Sequence, residues 1–140
     1  MCFGCGPANP QGLHLRSHPR DDGVFATFRA GPHHEAIPGM LNGGIAGTIL
    51  DCHMLWGAAW ALMRARGADA PPPMVTAEYT VRFRRPIPTS VAIELAARAV
   101  AVEADRATVE ATLVADGVER ATGRGLFVAV KEGHPAFHRW

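Results

Sequence analysis

Hydrophobic and polar positions alternate with a period near two along much of this chain, and one long stretch breaks that rhythm. Between Ile45 and Met63 apolar residues cover almost the whole circumference of a helical wheel. They lie in a run from Met40 that contains no proline, lysine or arginine. That pattern predicts a single multi-turn helix buried inside its own domain. Asn42 ahead of Gly43 and Gly44 supplies a start signal, because an Asn side chain accepts a hydrogen bond from the free N–H groups of a first turn. Arg64, Ala65, Arg66 and Gly67 supply the stop, with cations at the negative end and glycine just past it.

Downstream, Val75, Ala77, Tyr79, Val81 and Phe83 alternate with Thr76, Glu78, Thr80, Arg82 and Arg84, as in a half-buried antiparallel strand. Further strands are expected over residues 91–102, 107–115 and 118–130. Asp116-Gly117 marks a tight turn, and Gly123 and Gly125 mark a bulge or a close backbone approach. Upstream, residues 13–16 alternate as an edge strand would, and residues 24–29 return from a hairpin turn at Asp21-Asp22-Gly23. Residues 31–39 hold two prolines and two glycines and read as an irregular loop; Pro71-Pro72-Pro73 reads as a stiff linker. The order, two strands, a helix and four strands, defines an α+β domain with one central helix against a largely antiparallel sheet. It is expected to occupy residues 1–131, followed by a C-terminal tail over 132–140.

Composition narrows the function classes. A chain of 140 residues suits one domain with a real core, and a net charge of +1 argues against a nucleic-acid partner. The long apolar run approaches the roughly 20 residues that a bilayer requires. Asp51 and His53 at its centre argue for a core helix instead, so no membrane partner is expected. The first residues show no basic segment followed by an apolar stretch, and three cysteines, an odd number, suit a reducing compartment; the expected location is the cytoplasm. Cys2 and Cys5 have the Cys-x-x-Cys spacing of zinc sites, but no second such pair exists and only His14 and His18 are at hand to complete a tetrahedral set. No metal and no cofactor are expected.

Asp51 is the sharpest chemical feature. Its neighbours on the same helical face are Gly47, Thr48, Met54, Leu55 and Ala58, with no basic partner among them. A carboxylate on such a face is costly unless it is partnered elsewhere or serves chemistry. Cys52 and His53 point about 100° apart on a helix, which is poor geometry for a nucleophile and its base. At the helix start, Gly43 and Gly44 carry no Cβ to block a ligand from the unpaired N–H groups and the positive dipole end. Asn42 caps the helix and offers an amide to the same place. Nine helical residues rise about 13.5 Å over two and a half turns, so Asn42 and Asp51 of one chain do not meet at one carbonyl. Two antiparallel copies about a two-fold axis would bring each Asp51 to the other's glycines.

The set Cys-Phe-x-Cys-Gly-x-x-Asn-Pro-x-Gly-Leu-x-Leu at residues 2–15, followed by Pro38-Gly39-x-x-Asn42-Gly43-Gly44 and Asp51, resembles the hotdog-fold acyl-CoA thioesterases of the PaaI-like group. Thr76 and Arg84-Arg85-Pro86 extend the likeness, which runs to about residue 130. Asn42 stands where many members of that group have His. The resemblance implies a long helix wrapped by the sheet, with active sites at a subunit interface in a homodimer or a homotetramer built as a dimer of dimers. It implies hydrolysis of an acyl-CoA to free acid and CoA. Asp51 would act as base or nucleophile, and the Gly44 N–H as oxyanion donor, with Gly43 and Asn42 beside it. Thr76 would orient water, and Arg84 and Arg85 would meet the CoA phosphates. A different class, a non-catalytic acyl-ligand or acyl-CoA binder, fits the same pocket without turnover. A hotdog hydratase fits less well, since no Asp-x-x-x-x-His pattern surrounds Asn42.

Overall fold

The structure, a computed structural model, describes residues 1–137. Its elements in chain order are β1 (His18–Arg20), β2 (Gly23–Phe28), a 3-10 turn (Pro32–His34), β3 (Glu35–Ile37), β4 (Met40–Leu41), α1 (Gly43–Ala65), β5 (Met74–Phe83), β6 (Ile93–Val102), β7 (Arg106–Ala115) and β8 (Val118–Ala129). Six strands form one antiparallel sheet in the order β1-β2-β6-β7-β8-β5, and β3 pairs with β4 beside it. Two-residue turns at Asp21-Asp22 and Asp116-Gly117 join Arg20 to Gly23 and Ala115 to Val118. This is the hotdog arrangement, one long helix against a large antiparallel sheet.

Helix α1 begins and ends on its own chemistry. Asn42 Oδ1 accepts from the Gly44 N–H at 2.8 Å, and the Arg66 N–H closes the last turn on the Leu62 carbonyl at 3.0 Å. Ile49, Leu50, Met54, Ala58 and Leu62 are fully buried against Ile93, Leu95, Val109, Leu113 and Phe127 of the sheet. α1 is the one described helix long and apolar enough to cross a bilayer, and 61% of its most apolar window is buried inside this fold. Gly123 and Gly125 lie where the sheet is crowded. A Cβ at Gly123 would stand 3.1 Å from the Met54 sulfur, and one at Gly125 would stand 2.8 Å from the Phe127 ring.

Three expectations change. Residues 13–16 form no strand, because His14 takes a positive φ of 52°. Leu13 and Leu15 are buried in alternation because their N–H groups bond the Phe3 and Gly4 carbonyls, docking an N-terminal loop. Residues 31–39 are more ordered than an irregular loop. A 3-10 turn there ends on β3, and the His34 carbonyl accepts from the Asn42 N–H at 2.8 Å, fixing the entry to α1. The alternation of β5 does not run unbroken either. The pairings Thr76 with Phe127 and Glu78 with Leu126 leave Ala77 as an extra residue, a β-bulge. The expected tail carries neither helix nor strand over residues 132–137, and residues 138–140 lie outside the described part.

Candidate active site

The bulge decides which side chains of β5 meet the helix. Residues directly opposite in antiparallel strands point to the same face. Thr76 opposes the buried Phe127, so it faces α1; beyond the bulge Tyr79, Val81 and Phe83 take that face, opposite Gly125, Gly123 and Ala121. Unbroken alternation would put Thr76 on the far side with Glu78 and Thr80. Instead its Oγ1 donates to Asp51 Oδ1 at 2.8 Å. Asp51 is half-buried and its carboxyl is pushed above the usual carboxylate range by burial, a shift the Thr76 hydroxyl partly offsets. No cation stands among its described partners. Its second oxygen, Oδ2, keeps its capacity to accept a proton.

At the start of α1, Asn42, Gly43 and Gly44 are all exposed. The Gly44 N–H, named above as the oxyanion donor, is engaged by Asn42 Oδ1 in the cap. Because that oxygen accepts, the Asn42 amide NH₂ is turned outward as a donor. The Ala46 N–H bonds the Asn42 carbonyl, whereas among the described residues no acceptor meets the N–H of Gly43. Gly43 has Phe83 at its side, where a Cβ would lie 3.5 Å from the ring.

Arg84 and Arg85 follow directly. Their N–H groups bond the Arg120 carbonyl, and with Leu41, Gly43, Phe83, Pro86 and Ile87 they line a cleft of about 330 Å³ at the helix start. The two exposed arginines therefore line a cleft together with Gly43; Arg84 also borders the groove on the opposite face of the sheet, where Arg82 lies, paired with Thr122. Glu35 accepts from the Thr89 hydroxyl at 2.6 Å and holds the neighbouring loop. His53 is a core residue, with Nδ1 on the Ser17 hydroxyl at 2.8 Å and Nε2 on the Val24 carbonyl at 3.2 Å. Cys52 is buried in α1, and its sulfur lies 3.6 Å from that of Cys2. Phe83 escaped notice in the sequence because it reads as one more apolar strand position.

The spatial order matters for chemistry. Asp51 with Thr76 stands eight residues along α1 from Gly43, about 12 Å of rise. One chain thus presents a proton acceptor at one place and a cluster of N–H donors with two cations at another.

A family model described as the thioesterase superfamily matches residues 39–122, which span α1 and β5 through most of the sheet. The chain belongs to the thioesterase superfamily. A thioesterase superfamily protein from Shewanella loihica PV-4 is similar at 29% identity, with a TM-score of 0.71 over 84% of this chain and 91% of that one. The Escherichia coli PaaI protein of the phenylacetic acid degradation operon shares the fold at 16% identity, TM-score 0.69, over 85% and 81% of the two chains. A Streptococcus mutans protein solved bound to acetyl-CoA does so at 14% identity, TM-score 0.69, over 83% and 88%. No curated protein matches the sequence.

Proposed function

We propose that this chain is an acyl-CoA thioesterase whose active site is shared between two copies of a single domain over residues 1–131. The observation that carries the proposal is the Asp51 carboxylate, half-buried on α1 and bonded to Thr76 across the β5 bulge, in a chain of the thioesterase superfamily. Oδ2 of Asp51 takes a proton from a water as that water adds to the thioester carbonyl. The negative charge moves to the carbonyl oxygen, where the partner protomer supplies N–H groups. The donors are the free Gly43 N–H and the Asn42 amide, rather than the occupied Gly44 N–H. Collapse breaks the carbon–sulfur bond and the thiolate recovers the proton from Asp51, giving a carboxylic acid and CoA. Arg84 and Arg85 sit beside those donors and would hold CoA phosphates. The CoA thioester bound by the Streptococcus mutans protein of the same fold supports this substrate class. Three free cysteines suit the cytoplasm.

A shared site also explains the uncovered edge of the fold. β5 ends the sheet, with Tyr79 at 44% and Phe83 at 54% exposure on the face toward α1. A second copy pairing there would cover both rings. The occupied Gly44 N–H favours a second reading, a non-catalytic acyl-CoA binder. Thiol release from a panel of acyl-CoAs separates the two. The enzyme releases CoA, and Asp51→Asn lowers kcat at least about a hundredfold with the fold intact. Tight binding of acyl-CoA without thiol release identifies the binder, and full activity in Asp51→Asn removes Asp51 from the mechanism.

A further inference from the structure

Three thiols converge where the N-terminal loop crosses α1. The sulfurs of Cys2, Cys5 and Cys52 all lie within 4.8 Å of one another, and Cys2 Sγ and Cys52 Sγ are 3.6 Å apart. A zinc ion with bonds of about 2.3 Å to sulfur sets its thiolates at the corners of a tetrahedron with edges of about 3.8 Å. The Cys2–Cys52 pair has about that spacing, and the Cys5 sulfur lies within 4.8 Å of both. A disulfide needs about 2.05 Å, well short of the 3.6 Å between Cys2 and Cys52, and all three thiols are free.

The backbone around the sulfurs is shaped to the same end. The Gly6 N–H bonds the Cys2 carbonyl at 2.9 Å, closing the turn that places Cys2 and Cys5 side by side. A Cβ at Gly6 would overlap the Cys2 backbone, and one at Gly4 would overlap Cys52 Sγ, so both neighbours of Cys5 must be glycine. Cys52 forms the floor as a buried residue, Cys5 is half-buried and Cys2 is exposed. The cluster therefore has one closed side and one open to water.

We propose that Cys2, Cys5 and Cys52 bind a zinc ion, with water as the fourth ligand on the exposed side. Among the described residues no other His, Cys, Asp or Glu joins the cluster, so His14 and His18 do not complete it. Each thiol gives up its proton as its sulfur bonds the metal, and no electron is transferred. The ion tethers residues 2–5 to α1, one residue past Asp51, and so holds the loop over the helix. It takes no part in thioester cleavage.

The test uses the full, reduced chain stripped of metal and titrated with Zn²⁺ against a chromophoric chelator, with Co²⁺ as a spectroscopic probe. The result expected is one zinc per chain, and a thiolate-to-cobalt charge-transfer band of the strength three sulfurs give. Cys52→Ala, Cys5→Ser and Cys2→Ser should each weaken zinc binding more than about a hundredfold, beyond what loss of a supporting group costs. His14→Ala should leave it unchanged. Cys2 is exposed, so Cys2→Ser keeps the test valid if the buried variant fails to fold. Absence of stoichiometric binding, binding that survives Cys52→Ala in a folded chain, or a disulfide formed in place of the metal complex would overturn the site. None of these readouts depends on thioesterase activity.

Discussion

At the scale of single residues, ionisable groups one helical turn or less apart behave in opposite ways because their surroundings differ. Among the described residues Asp51 has one hydroxyl partner and a free oxygen, whereas His53 spends both ring nitrogens on Ser17 and Val24. Burial pushes the His53 pKa down to about 4, against the raising effect of the Val24 and Leu95 carbonyls. The unfolded ring protonates near its ordinary value of about 6.5. Its neutral form therefore contributes stability that is complete above that pH and is lost as pH falls toward 4, on the order of 3 kcal/mol. Urea unfolding at pH 7 and pH 5 should show wild type losing stability and His53→Gln losing much less; equal pH slopes in the two proteins would contradict this. Arg84 and Arg85 make a different prediction. Phosphate contacts far from the carbonyl bind substrate and transition state alike, so Arg84→Ala or Arg85→Ala should raise KM and leave kcat nearly unchanged. Unchanged KM in both variants would return these side chains to a solvated role.

At the scale of elements, the long helix, the strand over 75–83 and the three strands after it were legible because each repeats one pattern for many residues. What was illegible depends on a single inserted residue or a contact made far along the chain. Residues 13–16 imitate a strand because loop docking buries Leu13 and Leu15 in alternation. The β5 bulge leaves no local mark, since Val75, Ala77 and Tyr79 keep a perfect period of two across it. Its permissive partner is Gly125, which the sequence already marks as a bulge or close approach in the last strand: a Cβ there would press on Phe127 and stand 3.1 Å from the Glu78 carbonyl. Gly125→Val should destabilise the fold by about 1–3 kcal/mol, as overpacking does. It should also lower kcat in the fraction that remains folded, because Thr76 depends on the bulge for its direction. A denaturation midpoint and a kcat both equal to wild type would show that the crowding there is relieved at no cost.

At the scale of the whole molecule, one chain holds Asp51 about a third of helix α1 away from the Gly43 N–H, and the proposed two-fold pair would unite them. Asn42, Gly43 and Gly44 could be named from the sequence because they open one helix, and Asp51 because no basic residue shares its face; the occupied state of the Gly44 N–H required coordinates. Gly43 is the better donor to remove, since a proline at the first helical position is well tolerated and a Cβ there meets only the Phe83 ring at 3.5 Å. The most direct measurement mixes differently tagged Asp51→Asn and Gly43→Pro chains, purifies the heterodimer and follows thiol release from acyl-CoA. One site of that heterodimer carries Asp51 and Gly43 both intact and the other carries neither. Each variant alone should be nearly inactive and the heterodimer should recover about half the wild-type rate; a pure, folded heterodimer with no recovery would contradict the shared site.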